Sequence, residues 1–422
     1  MTIKKSLSIL TIVMTALLLI GIALRKSHDS ATRFSFEDSP KKIFTDVKVA
    51  ESQKPQLARS PSGILSILAV ADIQGQRKLV YTRSQDEGDH FSASIHVSGA
   101  GSNVIASGEN IPSLTQVSDG LYATWQERTS EDRHRIMFAR SSDTGVSFSK
   151  PVEITDSRGT SFNGFSSMSV APNGDIYVVW LDGRDQPEPE GTLGLYLAKS
   201  SDGGNSFTTN SRIVLGACPC CRPAIAFGEH GQVYVSWRKV FAGDVRDVVL
   251  ATSTDAGATF SAPRKVGEDQ WVVHGCPDSG PSMANIGGRL YIAWYSEGSH
   301  TAGIRVTVSD DGGKTFSLPD LASRGVFSAN HPQLSIFDKD HVLLTFQGRQ
   351  EEKSERHWTP VQIFVATLDP LGRGASAEAL PSVDSAAVYP STLAAGPDRI
   401  FVAWTGLRDN APTVELSRGI VR

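Results

Sequence analysis

Five stretches decide the fold: SQDEGDHF (Ser84–Phe91), SSDTGVSF (Ser141–Phe148), SSDGGNSF (Ser200–Phe207), STDAGATF (Ser253–Phe260) and SDDGGKTF (Ser309–Phe316). All five read S-x-D-x-G-x-x-F. Their aspartates, Asp86, Asp143, Asp202, Asp255 and Asp311, are spaced by 57, 59, 53 and 56 residues. Five complete matches in near-constant register mark a chain built from one repeated unit. The chemistry of the box is local. An Asp carboxylate accepts backbone N–H bonds as an Asx turn, and the glycine supplies a positive φ. These aspartates are therefore expected to be structural, with the Phe packed between units.

A second repeat precedes each box: an apolar strand starting near a proline, a polar turn, then an apolar strand usually ending in tryptophan. Pro112 leads to Trp125, Pro223 to Trp237, Pro281 to Trp294, Pro332 to Phe346 and Pro390 to Trp404. Phe165–Met168 leads to Trp180 in the same way, and Pro55 leads to Ile67 and Leu68 without the aromatic. The second unit alternates as four short strands: Ser113–Gln116, Leu121–Trp125, Ile136–Ser141 and Val152–Thr155. Four-stranded units repeated every 50–60 residues predict an all-β propeller over residues 44–422. The count favours seven blades, with six as the alternative. The last unit shows three strands, so Phe44–Val49 is expected to close the ring against it.

The repeats resemble the Asp-box (BNR repeat) family of sialidase-like propellers. The resemblance implies a glycosidase acting on sialic acid or a related acidic sugar. Its expected machinery is three arginines on a carboxylate, a Tyr–Glu nucleophile pair and an acid/base Asp. The match to the family's Arg-Ile-Pro strand is Asn110-Ile111-Pro112, where Asn110 stands in the arginine's place and supplies no charge. Arg128 and Asp132 follow as in that blade of the family. Arginines also recur just past the blade aromatics, at Arg184, Arg238, Arg349 and Arg408. They either converge on an anionic ligand or pair with nearby acids such as Asp182, Asp185, Glu351 and Asp409. Tyr295, Glu297 and Asp278 fit the nucleophile pair and the acid. Arg222 is a further ligand-binding candidate. Trp271 and Trp358 lie in loops suited to stacking on a ligand, while Trp125, Trp180, Trp237, Trp294 and Trp404 are blade core.

All four cysteines fall in two loops, Cys218-Pro-Cys220-Cys221-Arg222 and His274-Gly-Cys276. Both loops lead into adjacent blades, the fourth and fifth, on the face predicted to bind ligands. Two readings stand side by side. One is two disulfides, with one of the first three sulfurs stapled to Cys276. The other is a copper or zinc site of Cys218, Cys220, Cys221 and Cys276 with His274 or His331. The binding face is thus expected on blades four to six.

The amino terminus carries Lys4 and Lys5, an uncharged apolar run from Ser6 to Leu24, then Arg25 and Lys26. Nineteen helical residues rise about 28 Å, enough to span a hydrocarbon core. Residues 1–26 read as an uncleaved signal anchor, with a cleaved signal peptide as the alternative. Residues 27–43 read as a polar tether, and the propeller is expected outside the cytoplasm. With 41 basic and 45 acidic side chains, the net charge of −4 shows no footprint for nucleic acid. The partners left are a membrane, a glycan, an anionic small molecule or another envelope protein.

Overall fold

The computed structural model describes residues 34–50, 53–118, 120–159, 161–185, 191–298, 301–350, 359–374, 376–381, 386–408 and 410–422. The proposed anchor over residues 1–26 lies outside them. Among the described residues no helix is long and apolar enough to cross a membrane.

The described chain is all-β. Blade 1 comprises Gln56–Arg59, Leu65–Ile73, Gln76–Ser84 and Ile95–His96. Blade 2 comprises Ser113–Val117, Gly120–Arg128, His134–Ser141 and Val152–Glu153, within a few residues of the reading from sequence. Blades 3, 4, 5 and 6 repeat this antiparallel order from first strands at Asn163–Val170, Ala224–Phe227, Ser282–Ile286 and Phe327–Ile336. Blade 7 begins at Ala387–Ala394 and continues through Arg399–Arg408 to Ala411–Val421. Each first strand touches the first strands of both neighbouring blades, and that of blade 7 touches that of blade 1. The ring therefore closes at seven units among the described residues.

The closing strand lies earlier than expected. Phe34–Phe36 and Lys41–Ile43 pair antiparallel with the last strand, at Phe34↔Val421 and Ile43↔Val414. Part of the segment read as a tether is thus the outer edge of blade 7. Val49 instead bridges Ala71 of blade 1. An outermost strand has one neighbour, so its sequence needs little apolar patterning, and Lys41 and Lys42 mask it.

The boxes fold as their chemistry requires. In the fourth, Ser253 Oγ donates to Asp255 (2.7 Å) and accepts the Gly257 amide (2.8 Å). The Thr259 hydroxyl, followed by its amide and the Ser253 hydroxyl, holds the Asp255 carboxyl down to about 2. The box phenylalanines do pack across blades: Phe148 meets Tyr81 and Phe207 meets Phe138, each edge-on at 5.2 Å. Trp125, Trp180, Trp237 and Trp294 are among the largest fully buried side chains. The indole of Trp180 donates to Asp182 (3.0 Å) and that of Trp294 to Asp269 (2.6 Å), so burial leaves neither N–H unpaired.

Two glycine variants separate turn conformation from blade packing. Gly145 has φ +82° and a Cβ there would sit 2.0 Å from the Tyr81 hydroxyl, whereas Gly174 has φ +88° with open space around it. Gly174→Ala is expected to cost about 1 kcal/mol. Gly145→Ala is expected to cost roughly 1–3 kcal/mol more in a urea titration, because it also overpacks the blade interface.

Candidate functional site

The loops that lead into the first strands converge at one mouth of the central channel. Backbone shape explains why. Lys54 and Asp278, just ahead of their strands, both have φ 46°. Phe165, His331 and Tyr389 have φ 54°, 52° and 53°. These last three lie within register breaks of the first strands of blades 3, 6 and 7. A bulge with a left-handed residue re-aims one side chain out of the strand's alternation, at a cost on the order of 1–3 kcal/mol. Left-handed residues at five of the lead-ins, three of them within bulges, turn side chains toward a common point.

Glu109, in the lead-in to blade 2, occupies the centre and is 5% exposed. Its Oε2 accepts the amides of Arg222 (2.8 Å) and Gly280 (2.7 Å), from the lead-ins to blades 4 and 5. Its Oε1 faces His331 Nδ1 of blade 6 at 3.2 Å. Burial by itself pushes this carboxyl up, but the bonds from His331 and the two amides hold it below its ordinary value. Gly280 is required there, because a Cβ would lie 2.0 Å from the Arg222 carbonyl oxygen.

Around Glu109 stand four further titratable groups. Lys54, fully buried, places Nζ 3.2 Å from the centroid of the Tyr389 ring and donates to the Gly108 carbonyl. Burial drops its ammonium to about 7, against the pull of Glu109 and Asp278. Burial, then the charge of Glu109, raises the Asp278 carboxyl above its ordinary value, against the pull of His331 and Lys54. Burial brings the Arg222 guanidinium down to about 10; its Nε donates to the Ser166 carbonyl (2.7 Å) and Nη2 to the Ser113 hydroxyl (2.7 Å). The Tyr389 hydroxyl is raised by burial and by the two carboxylates, and its ring lies 4.7 Å from that of His331. Behind this set the channel holds a cavity of about 300 Å³, with Ser113, Ser167, Ser282 and Ser391 in its wall. A second recess of about 380 Å³ opens beside it between Gly108, Asn110, Phe162, Phe165, Leu193 and Pro219.

Of the residues singled out from sequence, the structure brings Arg222, Asp278 and His331 to this mouth. The arginine clamp does not assemble. Arg128 is exposed and bonded to Asp132 within its own blade. Arg184 pairs with Asp182 (2.8 Å) and Asp156 (2.7 Å), and Arg408 with Glu415 (2.8 Å). Asp185 pairs instead with Arg212, while Glu351 and Asp409 lie outside the described residues. Arg349 ends the second strand of blade 6, opposite Phe327. Arg238 is 1% exposed and spends its Nη2 on the carbonyls of Ser279 (3.0 Å) and Tyr295 (2.7 Å). Trp271 is no open stacking platform: it is 7% exposed, with Arg238 over its ring at 5.0 Å and Tyr295 edge-on at 5.4 Å. Trp358 lies outside the described residues. Asn110 is structural, accepting the Phe165 amide at 2.9 Å. The Tyr295 hydroxyl does reach Glu297, at 2.5 Å.

The cysteines meet as one group. Cys220 and Cys276 form a disulfide across the two lead-ins, with Cα atoms 6.1 Å apart. Cys218 and Cys221 remain buried thiols, so the second disulfide does not form. The Cys218 thiol is lowered by its bond with Cys221 and by Arg238, and burial raises that of Cys221. Neither histidine expected as a metal ligand serves the sulfurs. His274 is exposed and bonded to Asp244 (2.8 Å), while His331 is engaged by Glu109.

Lys54, Glu109 and Tyr389 escaped the sequence reading. The residue before a strand-opening proline carries the signal for two of them: Lys54-Pro55 and Tyr389-Pro390 share one column of the repeat with Arg222-Pro223 and His331-Pro332, while Ile111 and Gly280 fill it in blades 2 and 5.

No protein-family model and no curated protein matches the chain. Solved structures do resemble it. An ulvan lyase of polysaccharide lyase family PL25, bound to -[GlcA(1-4)Rha3S]-, superimposes with a TM-score of 0.55 at 10% identity, over 91% of this chain and 95% of that one. A protein of unknown function from Dyadobacter fermentans gives 0.52 at 16% identity, over 91% and 99%. The GH93 α-L-arabinofuranosidase of Fusarium graminearum, with arabinobiose, gives 0.51 at 14% identity, over 90% and 97%. The fold is a β-propeller. At these identities the likeness extends to the fold alone, and it agrees with the architecture expected from the repeats.

Two variants test this site. Glu109→Gln is expected to cost about 2–4 kcal/mol in a denaturant titration, because an amide replaces a charge that answers two amides and an imidazole. Lys54 has a folded value of about 7, below its ordinary 10.5, so the unfolded chain binds the extra proton between them. Its contribution to stability therefore rises with pH across that window. Lys54→Met is expected to flatten the rise by a few kcal/mol, read from urea midpoints at pH 6.5, 8.5 and 10.

Proposed function

We propose that the protein binds an acidic glycan at the channel mouth and that Asp278 there acts as a proton donor. The convergence of Lys54, Arg222, Asp278, His331 and Tyr389 on buried Glu109 supports this reading. The two amides and His331 already answer Glu109, so Lys54 and Arg222 are the cations left for a ligand carboxylate or sulfate. A carboxyl whose proton affinity is raised by burial and a neighbouring charge is suited to give its proton to a glycosidic oxygen. The recess walled by Phe162, Phe165 and Leu193 suits the apolar face of a sugar ring. The propeller is proposed to face outward from a membrane anchor in residues 1–26, where a glycan or a second envelope protein would meet it.

A second reading, sialidase-type hydrolysis with Tyr295 as nucleophile, is favoured by the Tyr295–Glu297 hydrogen bond. Against it stand the three arginines, Arg128, Arg184 and Arg408, paired within their own blades.

The test is calorimetric titration and turnover with oligosaccharides carrying uronate, sulfate or sialate. Arg222→Met and Lys54→Met are each expected to weaken binding at least tenfold. Wild-type affinity is expected to fall as pH rises through about 7, where Lys54 loses its proton. Asp278→Asn is expected to keep binding and lose turnover. Sialoside hydrolysis abolished by Tyr295→Phe but untouched by Asp278→Asn would favour the second reading. No binding to any acidic sugar would end the first.

A further inference from the structure

The cysteine group has a geometry that stapling two blades does not require. One disulfide, Cys220–Cys276, already joins the lead-ins to blades 4 and 5. Cys218 and Cys221 add nothing to that link, yet both are buried against it. Cys218 Sγ lies 3.7 Å from Cys220 Sγ, and Cys221 Sγ lies 3.9 Å from Cys220 Sγ. The three sulfurs of Cys218, Cys220 and Cys221 all fall within 4.8 Å of one another. Thiolates sharing one tetrahedral ion, with metal–sulfur bonds of about 2.3 Å, sit about 3.8 Å apart. The two distances to Cys220 bracket that value.

The surroundings fit a cluster of negative sulfurs. Arg246 Nη1 donates to Cys218 Sγ at 3.3 Å, and the backbone amide of Cys218 is fixed by the Arg238 carbonyl at 2.9 Å. Cys276 differs from the other three. It lies on an exposed loop, while Cys218 and Cys221 are at most 1% exposed. The sulfur that closes the group is therefore the one that solvent and a reductant reach.

We propose that Cys218, Cys220 and Cys221 form a binding site for a soft d10 metal ion, copper(I) or zinc, closed by the Cys220–Cys276 disulfide and opened by its reduction. A dithiol reductant supplies the two electrons: its two thiols become a disulfide, the Cys220–Cys276 bond breaks, and the two protons pass to the freed sulfurs. The three inner thiols then release their protons to solvent as they take the ion. Soft thiolate sets select these metals over harder ones. The site stands on the sulfur geometry alone and is independent of the glycan reading.

The test uses the full-length chain, reduced with a dithiol under anaerobic conditions, freed of reductant and titrated with copper(I) held by a competing chelator. A parallel titration uses zinc. The reduced chain is expected to withdraw one ion per molecule, and the air-oxidised chain none. Cys221→Ser is expected to weaken binding at least a hundredfold. Cys276→Ser, on the exposed loop, is expected to bind without prior reduction, which keeps the test valid if an inner variant fails to fold. Copper-edge or zinc-edge absorption is expected to count three sulfur neighbours. No stoichiometric uptake by the reduced chain would overturn the site. So would binding unchanged by Cys221→Ser. Equal uptake by the oxidised chain would overturn the gate.

Discussion

The buried carboxylate of Glu109 is the interaction on which the channel mouth depends. It belongs to blade 2, yet it answers backbone amides from the lead-ins to blades 4 and 5 and the imidazole of blade 6. A charge in such a place is tolerable only with full hydrogen bonding, so each of these loops must sit where the carboxylate needs it. The consequences spread outward. Arg222 is held with its guanidinium on Ser166 and Ser113, and the Asp278 loop is drawn in until its carboxyl shares the field of Glu109. Burial, then that field, raises the Asp278 carboxyl, and the field supports the Lys54 ammonium against the larger effect of burial. One structural charge thereby adds to burial in setting the proton affinities of its neighbours.

Elsewhere the ring is held by neutral means. First strands of adjacent blades share side-chain bonds, such as Ser282 to the Leu334 amide (2.9 Å) and Ser391 to the Leu57 amide (3.0 Å). On the opposite face the Ser–Asp turns fix the third strand of each of blades 1 to 5 and carry the aromatic that fills the gap between blades. The two ends of the molecule thus divide the work. The turn face supplies repeated local order, and the lead-in face, free of that repetition, carries varied and ionisable side chains.

The Cys220–Cys276 disulfide joins these themes. Arg222 lies two residues beyond Cys220 and Asp278 two residues beyond Cys276, so the cross-link fixes the spacing of the cation and the acid as well as that of the blades. Gly280, which admits the Arg222 carbonyl at close range, makes the same approach sterically possible.

The sequence by itself determined the repeat, the strand pattern, the structural role of the boxed aspartates and the buried tryptophans, because each follows from contacts within one unit. It also showed which loops share a face, since strand alternation dictates which loops share an edge, and it brought Arg222, Asp278 and the cysteines to notice. Tertiary structure decided the rest. Arg184 and Arg408 recur in sequence like a clamp, but each finds an acid in its own neighbourhood before it reaches the axis. Phe34–Phe36 closes the ring from a segment whose polarity gave no sign of a strand, because an edge strand needs only backbone pairing. Glu109, Lys54 and Tyr389 are separated by up to 335 residues of chain and meet only because seven blades curve into a circle. The approach of Lys54 and Tyr389 to Glu109 depends on left-handed residues that no hydrophobic period encodes.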